Sequence, residues 1–316
     1  MSLLTKVTLP NGALFNSSQT FLGADSLFTT GSVFFVCSVT GSNDNAGTDP
    51  SAPKATVQGA ISLCTANKGD KIIVMPGHAE TVTSTSINLS TAGVSVICLG
   101  TGLERPTFTY STAAATITVS AANCSFVGGH HKANFLDVAS AFTLGAAKDF
   151  KLLGNTFRDG TASLNFLSIV TTGATDNDAD SLVVDSNEWY GLNTTPLAFV
   201  SILAAELRPR LTNNTVNLAA TSGGEFVTLA AKIISGAVIA NNIHNVVGAT
   251  GTTTGIFLTG SGTTSTGVVV GNIIASLDTT TELLFTAGTG LTYFENYYTG
   301  VADKSGYLVP AADSAA

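Results

Sequence analysis

Val183-Val-Asp-Ser-Asn187-Glu-Trp189 and Arg210-Leu-Thr-Asn-Asn214-Thr-Val216 share one pattern: a short apolar strand, a small or polar bend, an asparagine, and a second apolar stretch. Upstream the pattern occurs at Lys151-Leu-Leu-Gly-Asn155-Thr-Phe157. Downstream it returns at Val238-Ile-Ala-Asn-Asn242-Ile-His244, Val268-Val-Val-Gly-Asn272-Ile-Ile274 and Thr292-Tyr-Phe-Glu-Asn296-Tyr-Tyr298. By subtraction the six asparagines lie 32, 27, 28, 30 and 24 residues apart, within the repeat range of stacked architectures. Toward the N-terminus the pattern fades. Ser125-Phe-Val-Gly-Gly129 puts Gly129 in the asparagine slot, and the stretches Val94 to Gly100 and Lys71 to Gly77 end in glycine.

A strand, a sharp bend and another strand require a residue that tolerates left-handed backbone angles, and Asn and Gly do so most cheaply. Asparagine amides stacked at the same bend of successive coils can hydrogen-bond along a ladder, satisfying polar groups that are costly inside an apolar stack. The pattern predicts an all-β fold, a parallel β-solenoid, with an asparagine ladder of Asn155, Asn187, Asn214, Asn242, Asn272 and Asn296. The competing reading is a β-sandwich whose strand ends carry Asn. Nine rungs are counted from Lys71 to Tyr298. At about 4.8 Å per gap, eight gaps make a rod about 40 Å long.

Composition agrees with such a stack. Of 316 residues only 11% are charged and 44% are hydrophobic, against about 25% charged in an ordinary globular protein. Disorder and coiled coil are both excluded on these grounds. The net charge is −8, and the one close basic pair is Arg208 and Arg210, so no nucleic-acid partner is expected. No apolar run is long enough to span a bilayer, so no membrane partner is expected. The first residues carry no signal-length apolar segment. Cys37, Cys64, Cys98 and Cys124 have neither zinc nor redox spacing and read as buried thiols.

The asparagine-centred repeats resemble those of right-handed parallel β-helix proteins, the pectin-lyase-like fold. The stretch Phe35-Val-Cys-Ser-Val-Thr-Gly41 to Asp49 is similar to the opening segment of many such proteins, as are Pro53 to Ile61 and Gly69 to Gly77. The resemblance covers about residues 33–300. It implies a capping helix across the N-terminal end of the stack, where Val57, Ala60, Ile61 and Cys64 form one apolar stripe at helical spacing. The expected organisation is a docking arm over 1–32, an opening strand and capping helix over 33–70, the β-helix over 71–300, and a C-terminal cap and tail over 301–316. The arm carries scattered apolar residues, Leu14, Phe15, Phe21, Leu22 and Phe28 among them, and is expected to dock on something.

Enzymes of this fold cut polysaccharides, and the chemistry makes checkable demands. Hydrolases need paired carboxylates on adjacent rungs; the family's Asn-Thr-Asp, Asp-Asp, Gly-His-Gly and Arg-Ile-Lys motifs do not occur here. The run Asp176-Asn-Asp178-Ala-Asp180 has spacing reminiscent of a calcium loop but lacks its glycine and distal glutamate, and reads as a solvated turn. His130 and His131 point to opposite sides if extended, and read as a surface turn with one half-buried ring. His78 and Glu80 share a face and could do acid–base work, yet they fit an ordinary rung start. Arg105, Arg158, Arg208 and Arg210 read as ion-pairing or interface residues. Phe150, Phe157 and Trp189 read as core stack. The expectation is a chain without catalytic residues, cofactor or metal.

The Gly69–Thr83 stretch resembles β-helical structural proteins of tailed bacteriophages, which usually form parallel homotrimers. The resemblance implies a virion structural protein assembled in a bacterial host cytoplasm. Its expected partners are two further copies of itself, the major capsid protein or another virion protein, and a host surface glycan. A trimeric capsid decoration protein or short head fibre, anchored by the N-terminal arm, ranks first. The alternative is a tailspike or tail-fibre adhesin that binds or cleaves a host surface polysaccharide.

Overall fold

The computed structural model describes residues 6–8, 14–16, 29–229, 233–246, 257–260, 265–276, 290–299 and 306–307. These residues build a parallel β-solenoid of the right-handed kind, almost without helix. Each full turn lays one strand on each of three sheets, as Val183–Asp185, Glu188–Gly191 and Ala198–Ile202 do. The first sheet has ten strands, from Val33–Val36 to Leu291–Phe294. The second also has ten, starting at Ala79–Val82; its last, Gly306–Tyr307, folds back antiparallel on Tyr297–Thr299. The third has seven, from Ile87–Leu89 to Leu258–Gly260. Of the nine turns that start at Lys71, seven therefore place a described strand in all three sheets.

Register explains the interior. Phe126, Leu152, Val184 and Leu211 are successive partners across the first sheet and are buried. Because side chains alternate along a strand, in-register stacking keeps each inward column inside for the length of the rod. The second sheet stacks Phe108, His131, Phe157 and Trp189 in the same way. The rings of Phe199, Phe226 and Phe257 lie nearly parallel, with centroids 5.3 and 4.6 Å apart. Each such side chain contributes about 1.5–3 kcal/mol by leaving water. Phe150, Phe157 and Trp189 are wholly buried. All four cysteines are free, and burial pushes the Cys64 thiol up to about 12.

The corner between the first and second sheets differs from the sequence expectation in one respect. The left-handed residue is not the ladder asparagine but the one before it: Gly154, Ser186, Asn213, Asn241, Gly271 and Glu295 all have φ between 52° and 65°. The bend is completed one position earlier. The ladder residue needs an inward amide, not an unusual backbone. Asn155, Asn187, Asn214, Asn242, Asn272 and Asn296 are at most 1% exposed, and each of the first five donates from both its backbone nitrogen and Nδ2 to the Oδ1 of the next. Gly129 occupies the same slot one turn earlier, and its nitrogen donates to Asn155 Oδ1 over 2.8 Å. A Cβ there would meet His131 Nε2 at 2.8 Å. The buried imidazole fills the space that an asparagine side chain takes in later turns.

A short helix, Val57–Ile61, covers the N-terminal end, burying Val57, Ala60 and Ile61. Thr56 caps it by accepting from the Gly59 nitrogen. Cys64 lies beyond the helix, half-buried against the same core. Gln58 Oε1 accepts from the nitrogen of Asn88 on the third sheet's first strand, tying helix to solenoid. In the N-terminal arm, Leu14 and Phe15 fall on the strand Leu14–Asn16, which pairs antiparallel with Lys6–Thr8; Phe21, Leu22 and Phe28 lie outside the described residues. Of the tail 301–316, only Gly306–Tyr307 is described.

Candidate functional site

His78 and Glu80 face inward beneath the capping helix. Glu80 Oε2 accepts from His78 Nε2 at 3.0 Å and from the Val57 nitrogen at 2.9 Å. His78 Nδ1 accepts from the Ser38 nitrogen, which fixes the ring's proton on Nε2. With side chains 0% and 8% exposed, the pair secures the helix and is shielded from any large substrate.

His130 and His131 lie on a strand, His130–Ala133, not in a surface turn. Alternation sends His131 into the core, stacked between Phe108 and Phe157 at 5.3 and 4.7 Å. Burial drives its pKa well below the usual histidine value, so the ring is neutral there. A half-buried histidine at a turn is corrected to one core ring and one outward ring, because the strand continues through both residues.

The acidic run is no freely solvated turn either. Asp176 Oδ1 and Asp180 Oδ1 accept from the nitrogens of Ala205 and Leu207 one turn on, while Glu206 Oε2 accepts from the Ala179 nitrogen. These bonds stitch successive loops together. Among the described residues no group of three or more His, Cys, Asp or Glu side chains is arranged to hold a metal ion.

The outer face of the second sheet is different in kind. Pairing places His130, Thr156 and Glu188 in one outward column and Lys132, Arg158 and Tyr190 in the next. The Arg158 guanidinium lies 3.7 Å from the centre of the Tyr190 ring, a cation–π contact. At the sheet corner Arg105 runs along the rod, donating from Nε to the Gly128 carbonyl at 2.7 Å, from Nη1 to Thr156 Oγ1 at 2.6 Å, and from Nη2 to the Gly154 carbonyl. Desolvation, followed by the charges of Arg105, Arg158 and Lys132, lowers the pKa of His130. The ion pairs among the described residues are His78–Glu80 and Lys148–Asp180, so no carboxylate lies within 4.0 Å of these three cations. Thr107 and Thr109 flank the patch on one side, Thr215 and Asn217 on the other.

Sequence inspection misses this patch. The signal is present: once Phe157 and Trp189 are taken as inward, their neighbours Arg158 and Tyr190 must point out, and aligning the repeats puts them side by side. Read along the chain alone, Arg158 is only an ion-pairing or interface residue, and Tyr190 belongs to no motif.

No protein-family model matches the chain, and no curated protein matches it. Among solved structures the chain is similar to a rhamnogalacturonan lyase, at 10% identity over 78% of this chain and 68% of that one, with a TM-score of 0.41. It is similar to the GH136 lacto-N-biosidase from Eubacterium ramulus, at 8% identity over 85% and 68%, with TM-scores of 0.40 for the selenomethionine derivative and 0.34 for the native protein. Both neighbours are enzymes by name, which corrects the expectation of a non-catalytic chain.

Proposed function

We propose that the protein is a virion rod of the adhesin type, which binds a host surface polysaccharide along the outer face of its second sheet. The observation that carries this reading is the strip of Lys132, Arg158 and Tyr190 with flanking threonines and Asn217. Hydroxyls, an amide and cations with no carboxylate within 4.0 Å among the described residues are groups that recognise sugars. Successive strands of a parallel sheet set such groups about 4.8 Å apart, which suits an extended ligand. In this reading residues 1–32 anchor the rod to a capsid or tail protein, three copies stand in parallel, and assembly takes place in a bacterial cytoplasm. A decoration protein or head fibre would share the rod and its anchor; the strip favours the adhesin.

The test incubates the full chain with surface polysaccharides from the host and from unrelated bacteria. Host-selective binding is expected, and failure to retain any polysaccharide rejects the reading. The same mixtures, assayed for new reducing ends and unsaturated products, decide whether the bound glycan is also cut. Deleting residues 1–32 is expected to leave glycan binding and abolish particle association; association that survives the deletion overturns the anchoring role.

A further inference from the structure

We propose that the last three turns of the rod form a self-association surface, where the corner between the first and second sheets packs against the same level of parallel copies of this chain. The surface is separate from the glycan strip and concerns what holds the copies of the functional reading together.

The outer face changes character at one level of the rod. In the second sheet the outward column Thr156, Glu188 and Thr215 continues as Ile243, Ile273 and Tyr297. In the first sheet Lys151, Val183 and Arg210 continue as Val238, Val268 and Thr292. Beside them Leu153, Asp185 and Thr212 continue as Ala240, Val270 and Phe294. The earlier strands carry Lys151, Arg158, Asp185, Glu188 and Arg210; among the described residues 237–246, 265–276 and 290–299, Glu295 alone is Asp, Glu, Lys or Arg. All three columns thus turn apolar at the same turn, on both sides of one corner.

These side chains are left in water. Ile243, Ile273, Phe294 and Tyr297 are 40%, 43%, 45% and 42% exposed, and Val238, Val268 and Val270 are half-buried. Together they make an apolar patch of about 500 Å², near the upper end of what a monomer shows. Two such patches in contact bury about 1,000 Å², which reaches the size of a specific interface. A convex corner encloses no small ligand. An occupant bearing charges would lose their hydration against columns that return no counter-charge. A parallel copy has no such cost. Symmetry about an axis along the rod sets equal levels side by side, so its apolar turns meet apolar turns and its charged turns stay clear of them.

The experiment measures the mass of the full chain by analytical ultracentrifugation over a range of concentration and salt. More than one copy per particle is expected, undiminished by salt. The double variant Ile243→Thr with Ile273→Thr gives that column the residue type of Thr156 and Thr215 and keeps β-branched side chains on the strands. It should stay folded by circular dichroism and weaken association at least about tenfold, whereas Lys151→Gln, on the same rod below the boundary, should not. A spin label on Lys151→Cys reports direction: parallel copies hold the labels at one level, and opposed copies set them about 40 Å apart along the rod. Opposed copies overturn the inference, as does association that salt dissolves or that the double variant leaves intact. A monomeric mass overturns both the inference and the parallel copies of the functional reading; glycan binding by that monomer would leave the strip standing.

Discussion

Asn242 Oδ1 accepts two hydrogen bonds from Asn214, at 2.9 Å from its backbone nitrogen and 3.0 Å from Nδ2. The second Nδ2 hydrogen of Asn214 goes to the Val184 carbonyl at 2.8 Å, and its own Oδ1 accepts in the same way from Asn187. One buried side chain thus satisfies polar groups on the turns either side of its own. Asn214→Ala would strand them together. Because a buried group without a partner costs about 1–3 kcal/mol, the substitution is expected to destabilise by about 3 kcal/mol or more. Asn217→Ala, on the outer face where Asn217 accepts from Asn245, is expected to cost well under about 1 kcal/mol. Urea unfolding of the two variants checks this, and equal losses would mean that the ladder carries no special weight.

The ladder also shows how far the sequence can be read. Its asparagines, the inward columns and the stripe Val57, Ala60 and Ile61 are visible as periodicity. The position of the bend is not, because Asn213 and Asn241 precede Asn214 and Asn242, and either member of each pair can adopt left-handed angles. Only the neighbouring turns separate the roles, where Ser186 and Glu295 hold the bend and Asn187 and Asn296 the ladder. The cationic strip escapes for another reason. Lys132, Arg158 and Tyr190 are far apart in sequence and match no motif; they meet only when the strands are set in register.

Two glycines separate strain from space. Gly154 has φ of 61° and open space within 4 Å of where a Cβ would stand, whereas Gly129 has ordinary angles but a Cβ there meets Phe126 at 2.9 Å and His131 at 2.8 Å. Gly154→Ala is therefore expected to cost about 1 kcal/mol from backbone angles alone. Gly129→Ala is expected to cost about 1–3 kcal/mol from overpacking, and the double variant Gly129→Ala with His131→Ala should recover none of the lost ring burial. Thermal denaturation orders the two single variants; a harmless Gly129→Ala would show that the ring can move aside.

His131 predicts an acid limit. Its folded pKa lies well below the ordinary value of about 6.5. As pH falls below about 6.5 the unfolded chain binds a proton that the folded chain refuses, so stability is present above that value and is lost on acidification. His131→Phe keeps an aromatic ring between Phe108 and Phe157, and Tyr110 retains its bond to the Ala141 carbonyl. The variant is expected to lose the part of the acid slope between about pH 6.5 and 5 while remaining folded at about pH 7. An unchanged slope would assign the acid sensitivity to other groups.

Glu206 predicts the opposite trend. Its carboxyl is buried, Oε1 has no hydrogen-bond partner among the described residues, and Asp180, Asp178 and Asp176 stand nearby. Desolvation first, and then those charges, push its pKa up to about 7 from an ordinary 4.5. Between these values the folded state binds more protons than the unfolded one, so stability is fully present below about pH 4.5 and is lost as pH rises through about 7. Asp159, raised to about 6, and Glu225, raised to about 7, act with the same sign. Glu206→Gln removes the charge while retaining an acceptor for the Ala179 nitrogen. It is expected to raise the urea midpoint at about pH 8 and leave it nearly unchanged at about pH 4.5. A gain of equal size at both pH values would mean that the substitution relieves packing and not a buried charge.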